Sequence, residues 1–336
     1  MARVLVTGAA GQVGCRVVRQ LLARNHEVRA LVLPDDPMGG RLAGLDVEMV
    51  VGDLSSPQVA ERAVAGVDAV VHTANLVGPS HFENNVRATL NIAKACASCA
   101  DSLDRLVSVS SSSVYPNDSQ IIATCYNPVD ELHPCRPVDD YALSKLIGEE
   151  IVNCYSRQSG LRTAIVRPSG IVSGDAVLTR WSVGFVCDIL KVGQSHPQSA
   201  LYQHDGAELW HELEKGAASL DQPCDVRDVE GRPWVYQLVD ARDVAHGLVC
   251  ALESPGAIGE AFNISAPEAI PYPQAAAAVS EATGRPVFQC RLPVRWVFDL
   301  SNAKARAWIG YEPRWGIREM VEDAAAFQAG ETDGLT

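Results

Sequence analysis

The stretch Val4-Leu5-Val6-Thr7-Gly8-Ala9-Ala10-Gly11-Gln12-Val13-Gly14 decides the fold. A short apolar run ends in three glycines spaced G-x-x-G-x-x-G, and a helical pattern follows from about Val13 to Arg24. Gly8 permits a tight turn, Gly11 lets phosphates approach the backbone, and Gly14 lets the helix pack closely on the strand. Gln12, Val13 and Gly14 open that helix, whose first N–H groups and positive dipole end favour phosphate oxygens. A lone glycine triplet is a weak signal. With a strand before it and a helix after it, the triplet reads as a dinucleotide-binding loop.

Working outward, short β-branched runs alternate with helical patterns. Strands are expected at Glu27–Val32, Val47–Val51, Ala69–His72, Arg105–Ser110 and Thr163–Val166. Helices are expected at Pro57–Ala65, Asn84–Ala100 and Tyr141–Ser156. Runs such as Ala69-Val70-Val71 lack polar alternation, as strands buried on both faces should. The rhythm predicts an α/β chain with a Rossmann-type, doubly wound parallel sheet. Beyond Gly174 the texture changes, with Trp181, Phe185, Trp210 and Trp234 among many polar residues. We therefore expect a dinucleotide-binding domain over 1–174 with returning segments near 236–265. A smaller C-terminal substrate lobe is expected from 175–235 and 266–330.

The chain has 336 residues, enough for about two domains at roughly 150 residues each. Its charge is 28 − 41 = −13, so nucleic acid and anionic membrane are poor partners. No run approaches the roughly 20 apolar residues of a membrane span, and no leader pattern is visible, which predicts a cytoplasmic protein. The 10 cysteines read as free thiols, including the lone pair Cys96 and Cys99. The histidines show no metal spacing: His72 is expected to pack at a strand end, and His196, His204 and His211 to lie on the surface.

Tyr141-Ala142-Leu143-Ser144-Lys145 places a phenol and an ammonium four residues apart, on one helix face. A lysine cation favours the phenolate and lowers the tyrosine pKa toward working pH.

Together with the glycine loop, these residues resemble the extended short-chain dehydrogenase/reductase family, of the NAD-dependent epimerase/dehydratase type. The resemblance runs through most of the chain. It includes Gly52-Asp53-Leu54, Val71-His72-Thr73-Ala74, Asn85-Val86-Arg87-Ala88-Thr89-Leu90-Asn91, Arg167-Pro168, Val239–Ala245, Ala261–Ile264 and Lys304–Pro313. It implies that Asp53 and Leu54 hold adenine, that Thr73 and Ala74 line the inner ribose, and that Pro168 lies beside the nicotinamide. Lys145 would also hold the cofactor ribose. The hydroxyl gripping the reacting oxygen would be Ser111, three residues before Val114, with Ser112 and Ser113 as alternatives. Asn85 would either support a water relay to Lys145 or brace its helix. Relatives often dimerise through helices equivalent to 84–100 and 141–156, and Leu143, Leu146, Ile147 and Ile151 form an apolar stripe. A homodimer is therefore expected.

An acid near the end of the second strand binds the ribose 2′-OH and repels a 2′-phosphate. Val32 stands at the usual position, and Asp35 follows about twenty residues after Gly14. NAD is the expected cofactor; Arg16 or Arg41 would leave NADP open, although both are expected as surface arginines.

Tyrosine-assisted dinucleotide chemistry interconverts alcohols and ketones, and it ends in oxidoreduction, epimerisation or dehydration. Dehydratases of this type carry Asp-Glu where this chain has Ser112-Ser113. Nucleotide-sugar epimerases usually have asparagine and arginine where Gly170 and Tyr236 stand. We expect a dehydrogenase/reductase acting on a small polyol, sugar or hydroxy-acid-like substrate. The alternatives are an NAD-retaining sugar or nucleotide-sugar epimerase and a non-catalytic dinucleotide sensor.

Overall fold

In the computed structural model, which describes residues 1–76, 80–116 and 120–335, strand β1 (Arg3–Thr7) sends successive side chains to opposite faces of a sheet. Val4 and Val6 join a core with Val17, Val18 and Leu21 of helix α1 (Gly14–Ala23). Leu5 joins another with Ala60 and Ala63 of α2 (Pro57–Val64) and Ile92 of α3 (His81–Ala97). Burial on both faces is why these strands read as unbroken apolar runs.

The other strands are β2 (Glu27–Val32), β3 (Val47–Val51), β4 (Ala69–His72), β5 (Arg105–Val109) and β6 (Thr163–Pro168). With the strand Glu260–Ile264 at one edge, the sheet order is that strand, then β6, β5, β4, β1, β2 and β3. Every neighbouring pair is parallel. The chain winds outward from β1 to β3, then restarts at β4 on the other side. Between β1 and β4 the winding reverses, and the register pairs Thr7 with His72. Ligands of open α/β sheets bind at the carboxyl ends of strands at such a reversal.

Helix α4 (Asp140–Ser159) is bounded by recognisable signals. The Asp139 carboxylate accepts from the Ala142 N–H at 2.7 Å, and Gly160 closes the helix with φ of 73°. Helix α3 starts at His81, ahead of the expected Asn84. Glu83 lies in its first turn, where a carboxylate complements the positive helix end.

A separate core gathers Trp181, Trp234, Tyr272, Trp296 and Phe298, all fully buried. It is built on α5 (Val183–Gln194), on the parallel pair Cys224–Asp228 and Phe288–Leu292, and on three short strands at 235–236, 270–271 and 297–298. The C-terminal stretch expected to lie wholly in the substrate lobe divides between cores. Tyr272, Trp296 and Ile317 join this one, whereas Ala305, Ile309 and Tyr311 pack with Val4 and Val6. Among the described residues no helix is long and apolar enough to cross a membrane.

Candidate active site

At the end of β1 the glycine loop is shaped by contacts that exclude side chains. Gly8 has φ of +64°, and a Cβ there would stand 2.7 Å from the Ala74 Cα. A Cβ on Gly14 would stand 2.2 Å from the Gly8 carbonyl oxygen, so α1 can approach this closely only with glycine. No side chain caps the first turn of α1, and no carboxylate lies in it. A small-radius cradle at an uncapped helix start suits a pyrophosphate.

The loop forms one end of a cleft of about 940 Å³. Gly8, Gly11, Gln12, Val13 and Gly14 line it. So do Asp53, Leu54, Thr73, Ala74, Asn85, Ser111, Tyr141, Lys145 and Pro168. The structure thus brings together every expected site residue except Asp35. Asp35 is exposed with φ of 53°, and its neighbour Asp36 lies on the cleft wall with Leu33 and Met38. The positive φ redirects the chain by one residue, which no spacing rule registers.

Several of these groups are held by neighbours. The Thr73 hydroxyl donates to the Thr7 carbonyl at 2.7 Å, joining the ends of β4 and β1. Asn91 donates to the Leu54 carbonyl at 2.8 Å and fixes the turn after β3. The Asn85 side chain accepts from the Leu76 N–H at 2.8 Å and donates to the Leu76 carbonyl at 3.1 Å. These bonds tie the segment after β4 to α3. His72 is buried between the hydroxyls of Thr7 and Thr89, at 2.7 and 3.2 Å. Burial, followed by the nearby Lys145 cation, pushes its pKa down to about 3, so it is a neutral packing group.

Lys145 is buried at the bottom of the cleft, its Nζ 5.7 Å from the Tyr141 ring centre and 3.5 Å from the Val109 carbonyl. Among the described residues no carboxylate pairs with it. Desolvation pushes its pKa down to about 8. The four serines divide their tasks: Ser110 donates to Glu149, while the Ser111 hydroxyl accepts from the Ser113 N–H at 3.1 Å.

Behind the cleft lies a buried network that the sequence reading missed. Arg167 donates to both oxygens of Glu149, at 2.8 and 2.6 Å, and to the Tyr115 hydroxyl at 2.6 Å. Tyr115 donates to Asn263 at 2.9 Å. Glu149 stands four residues after Lys145, so helical spacing was the available signal. Arg167 serves this network and does not line the cleft, although its neighbour Pro168 does.

Arg16 and Arg41 are both bonded to the glycine-loop segment. Arg16, expected at the surface, is buried under the loop and donates to the carbonyls of Gln12 and Gly334. Arg41 donates to the Ala10 carbonyl at 3.4 Å. The only cations lining the described cleft are Lys145 and Arg180.

At the far end the two departures noted at Gly170 and Tyr236 prove to be one feature. A Cβ on Gly170 would lie 2.8 Å from the Tyr236 hydroxyl and 2.9 Å from a Leu238 methyl. Tyr236 packs at 4.6 Å from Trp296 and 6.3 Å from Phe185, between ring centres. Among the described residues no group of three or more potential metal ligands occurs.

A family model described as the NAD-dependent epimerase/dehydratase family matches residues 4–265. A 3-beta-hydroxysteroid dehydrogenase of Mycolicibacterium neoaurum is 33% identical over 195 residues, covering 54% of this chain and 50% of that protein. A putative UDP-glucose 4-epimerase of Methanocaldococcus jannaschii is 30% identical over 179 residues, covering 50% of this chain and 55% of that protein. The chain thus spans about half the length of these curated relatives. A short-chain dehydrogenase/reductase superfamily protein of Agrobacterium tumefaciens, crystallised with NAD, superposes with a TM-score of 0.78 at 27% identity, covering 98% of this chain and 97% of that one. A UDP-glucuronic acid 4-epimerase of Bacillus cereus, also in complex with NAD, superposes at 0.71 with 18% identity and 98% and 100% coverage, a likeness of fold. The chain belongs to the NAD-dependent epimerase/dehydratase family.

Proposed function

We propose that this protein is a dehydrogenase/reductase that interconverts a secondary alcohol and a ketone on a small polyol, sugar or hydroxy-acid-like substrate. The observation carrying this reading is the Tyr236 hydroxyl seated where any side chain at residue 170 would begin. The asparagine and arginine that nucleotide-sugar epimerases usually place there are both lost to one aromatic contact. Relatives of this chain include named dehydrogenases as well as epimerases.

The nicotinamide, when bound, supplies the two-electron acceptor or donor. The chain's own residues manage the proton and the substrate oxygen. Tyr141 takes the hydroxyl proton during oxidation and returns it during reduction. Lys145, cationic below about pH 8, favours the Tyr141 phenolate, and among the described residues no carboxylate competes for its charge. Ser111 orients the reacting oxygen, and Asn85 fixes the segment at Leu76 beside it. Asp36 on the wall beside the glycine loop favours NAD over NADP.

We also propose a homodimer through α3 and α4. The stripe Leu143, Leu146, Ile147 and Ile151 stays partly exposed, because α4 turns Ala142, Lys145, Glu149 and Val152 inward instead. Light scattering should give about twice the 36.0 kDa chain mass.

An absorbance and thermal-shift screen over small alcohols and nucleotide sugars tests the reaction. Net NADH formation with a small alcohol is expected. Strong stabilisation by one nucleotide sugar, with its inversion and no net NADH, would overturn the dehydrogenase.

A further inference from the structure

The charges lining the cleft are segregated. Among the described residues its two carboxylates, Asp36 and Asp53, both belong to turns that follow β2 and β3, on the glycine-loop side of the sheet. The far end, with Gly170, Phe185 and Tyr236, holds a single charged side chain among the described residues, Arg180. Among the described residues no carboxylate lies within ion-pair distance of Arg180, and its guanidinium sits 5.4 Å from the Phe185 ring centre.

The backbone holds this arginine in place. It closes the turn Gly174–Thr179, and the next residue, Trp181, is fully buried edge-on against Tyr272 at 4.9 Å. Ser182 then caps α5, its hydroxyl accepting from the Phe185 N–H at 3.2 Å. Arg180 and Phe185 are therefore set by one rigid corner. A guanidinium set beside the Phe185 ring, with no internal anion among the described residues, is preorganised for a planar carboxylate, which it binds through two parallel N–H···O bonds.

We propose that Arg180 is the residue that binds the substrate's carboxylate, and that the substrate is a hydroxy or keto acid whose carbon skeleton packs on Phe185 and Tyr236. This inference rests on the dehydrogenase reading above and narrows its substrate to acids.

The test uses unreactive probes, so it is independent of whether net NADH forms. Benzoate and its uncharged counterpart benzamide are titrated into the NADH-loaded protein by calorimetry. Benzoate should bind about 10- to 100-fold more tightly than benzamide, the range for hydrogen bonds to a charged partner. Arg180→Gln should erase that difference, while Arg180→Lys keeps part of it, and NADH affinity in both variants stays unchanged. Equal binding of the two probes, binding of neither, or discrimination that survives in Arg180→Gln would overturn the inference. With substrates, hydroxy acids should outpace their methyl esters by a similar factor. Net NADH formed equally well from acids and esters would refute the carboxylate site and leave the dehydrogenase standing. Inversion of a nucleotide sugar without net NADH would refute the dehydrogenase itself.

Discussion

At the glycine-loop end of the cleft, Gly8, Gly11, Asp36, Asp53, Thr73 and Ala74 lie in segments that follow β1, β2, β3 and β4 of the central sheet. At the Arg180 end, the wall is assembled from residues 170, 180, 185 and 236 and backed by Trp181 and Trp296 from a different core. The first end depends on backbone approach: Gly8 and Gly14 meet main-chain atoms that cannot move without shifting the sheet. The second depends on side chains, since Gly170 meets only a phenol and a methyl group. A dinucleotide site made of backbone tolerates little variation, whereas a pocket made of rotatable aromatics can be retuned residue by residue. The difference explains how one family holds both dehydrogenases and epimerases.

Tyr141 stands where the two ends meet, and its loss tests whether they serve one reaction. Tyr141→Phe removes the proton carrier and should lower kcat by about 10²–10⁴-fold while NAD still binds. Steady-state rates beside a cofactor titration measure both. A rate within a few-fold of the parent would detach Tyr141 from the chemistry.

Lys145 is the costliest group in the cleft. Its pKa falls from 10.5 to about 8 through burial alone. At roughly 1.4 kcal/mol per unit, burying the charge costs on the order of 3 kcal/mol of stability below pH 8. The sign follows from proton counts. Between about pH 8 and 10.5 the unfolded chain binds more protons at this site, so the parent gains stability as pH rises. Lys145→Met should therefore be inactive yet more stable at pH 7 by about 1–3 kcal/mol, and that advantage should vanish above pH 10.5. Denaturant melts at pH 7 and 10.5 give the comparison. A variant less stable than the parent at pH 7 would mean that unseen partners compensate the charge.

What could be read in the sequence follows the same division. The Rossmann-type sheet was legible because burial on both faces leaves apolar runs, and because strand-to-helix spacing around Gly8, Gly11 and Gly14 is local. Tyr141 and Lys145 were legible because four residues complete one helical turn. The contact of Gly170 with Tyr236 was not, because 66 residues separate them and a parallel pairing of Gly170 with Leu238, which no local spacing signals, brings them together. Arg16 was misplaced at the surface because a helical arginine ordinarily points to water. Here it spans from Gln12 to Gly334, a partner 318 residues away.

Adding one methyl group at each end compares their tolerance directly. Gly14→Ala sets a Cβ 2.2 Å from a carbonyl oxygen of the loop, a contact that no rotamer relieves. We expect destabilisation of about 1–3 kcal/mol and a matching loss of NAD affinity. Gly170→Ala meets the tip of Tyr236, which can shift. It should leave NAD affinity unchanged and raise KM for the substrate a few-fold. Thermal melts and cofactor titrations of the two variants decide it. Equal loss of NAD affinity in both would show that the cleft ends are not independent.

The smallest effect concerns the choice of cofactor and turns on a single residue of register. Asp35 has the spacing from Gly14 that a ribose-binding acid should have, but it is exposed, and its positive φ hands the cleft wall to Asp36. A carboxylate near the ribose repels the doubly charged 2′-phosphate of NADP. The interaction is weakened by the water reaching this open wall, to about 1 kcal/mol or less for exposed charges. Asp36→Ala should therefore narrow the preference for NAD over NADP by only about 3- to 5-fold. Asp35→Ala should narrow it less, through the longer-range field alone, and added salt should shrink both changes. Fluorescence titration of both cofactors against each variant at low and high salt gives the four ratios. A larger change in Asp35→Ala than in Asp36→Ala would restore the residue that spacing alone selects and place the positive-φ turn differently when the cofactor is bound.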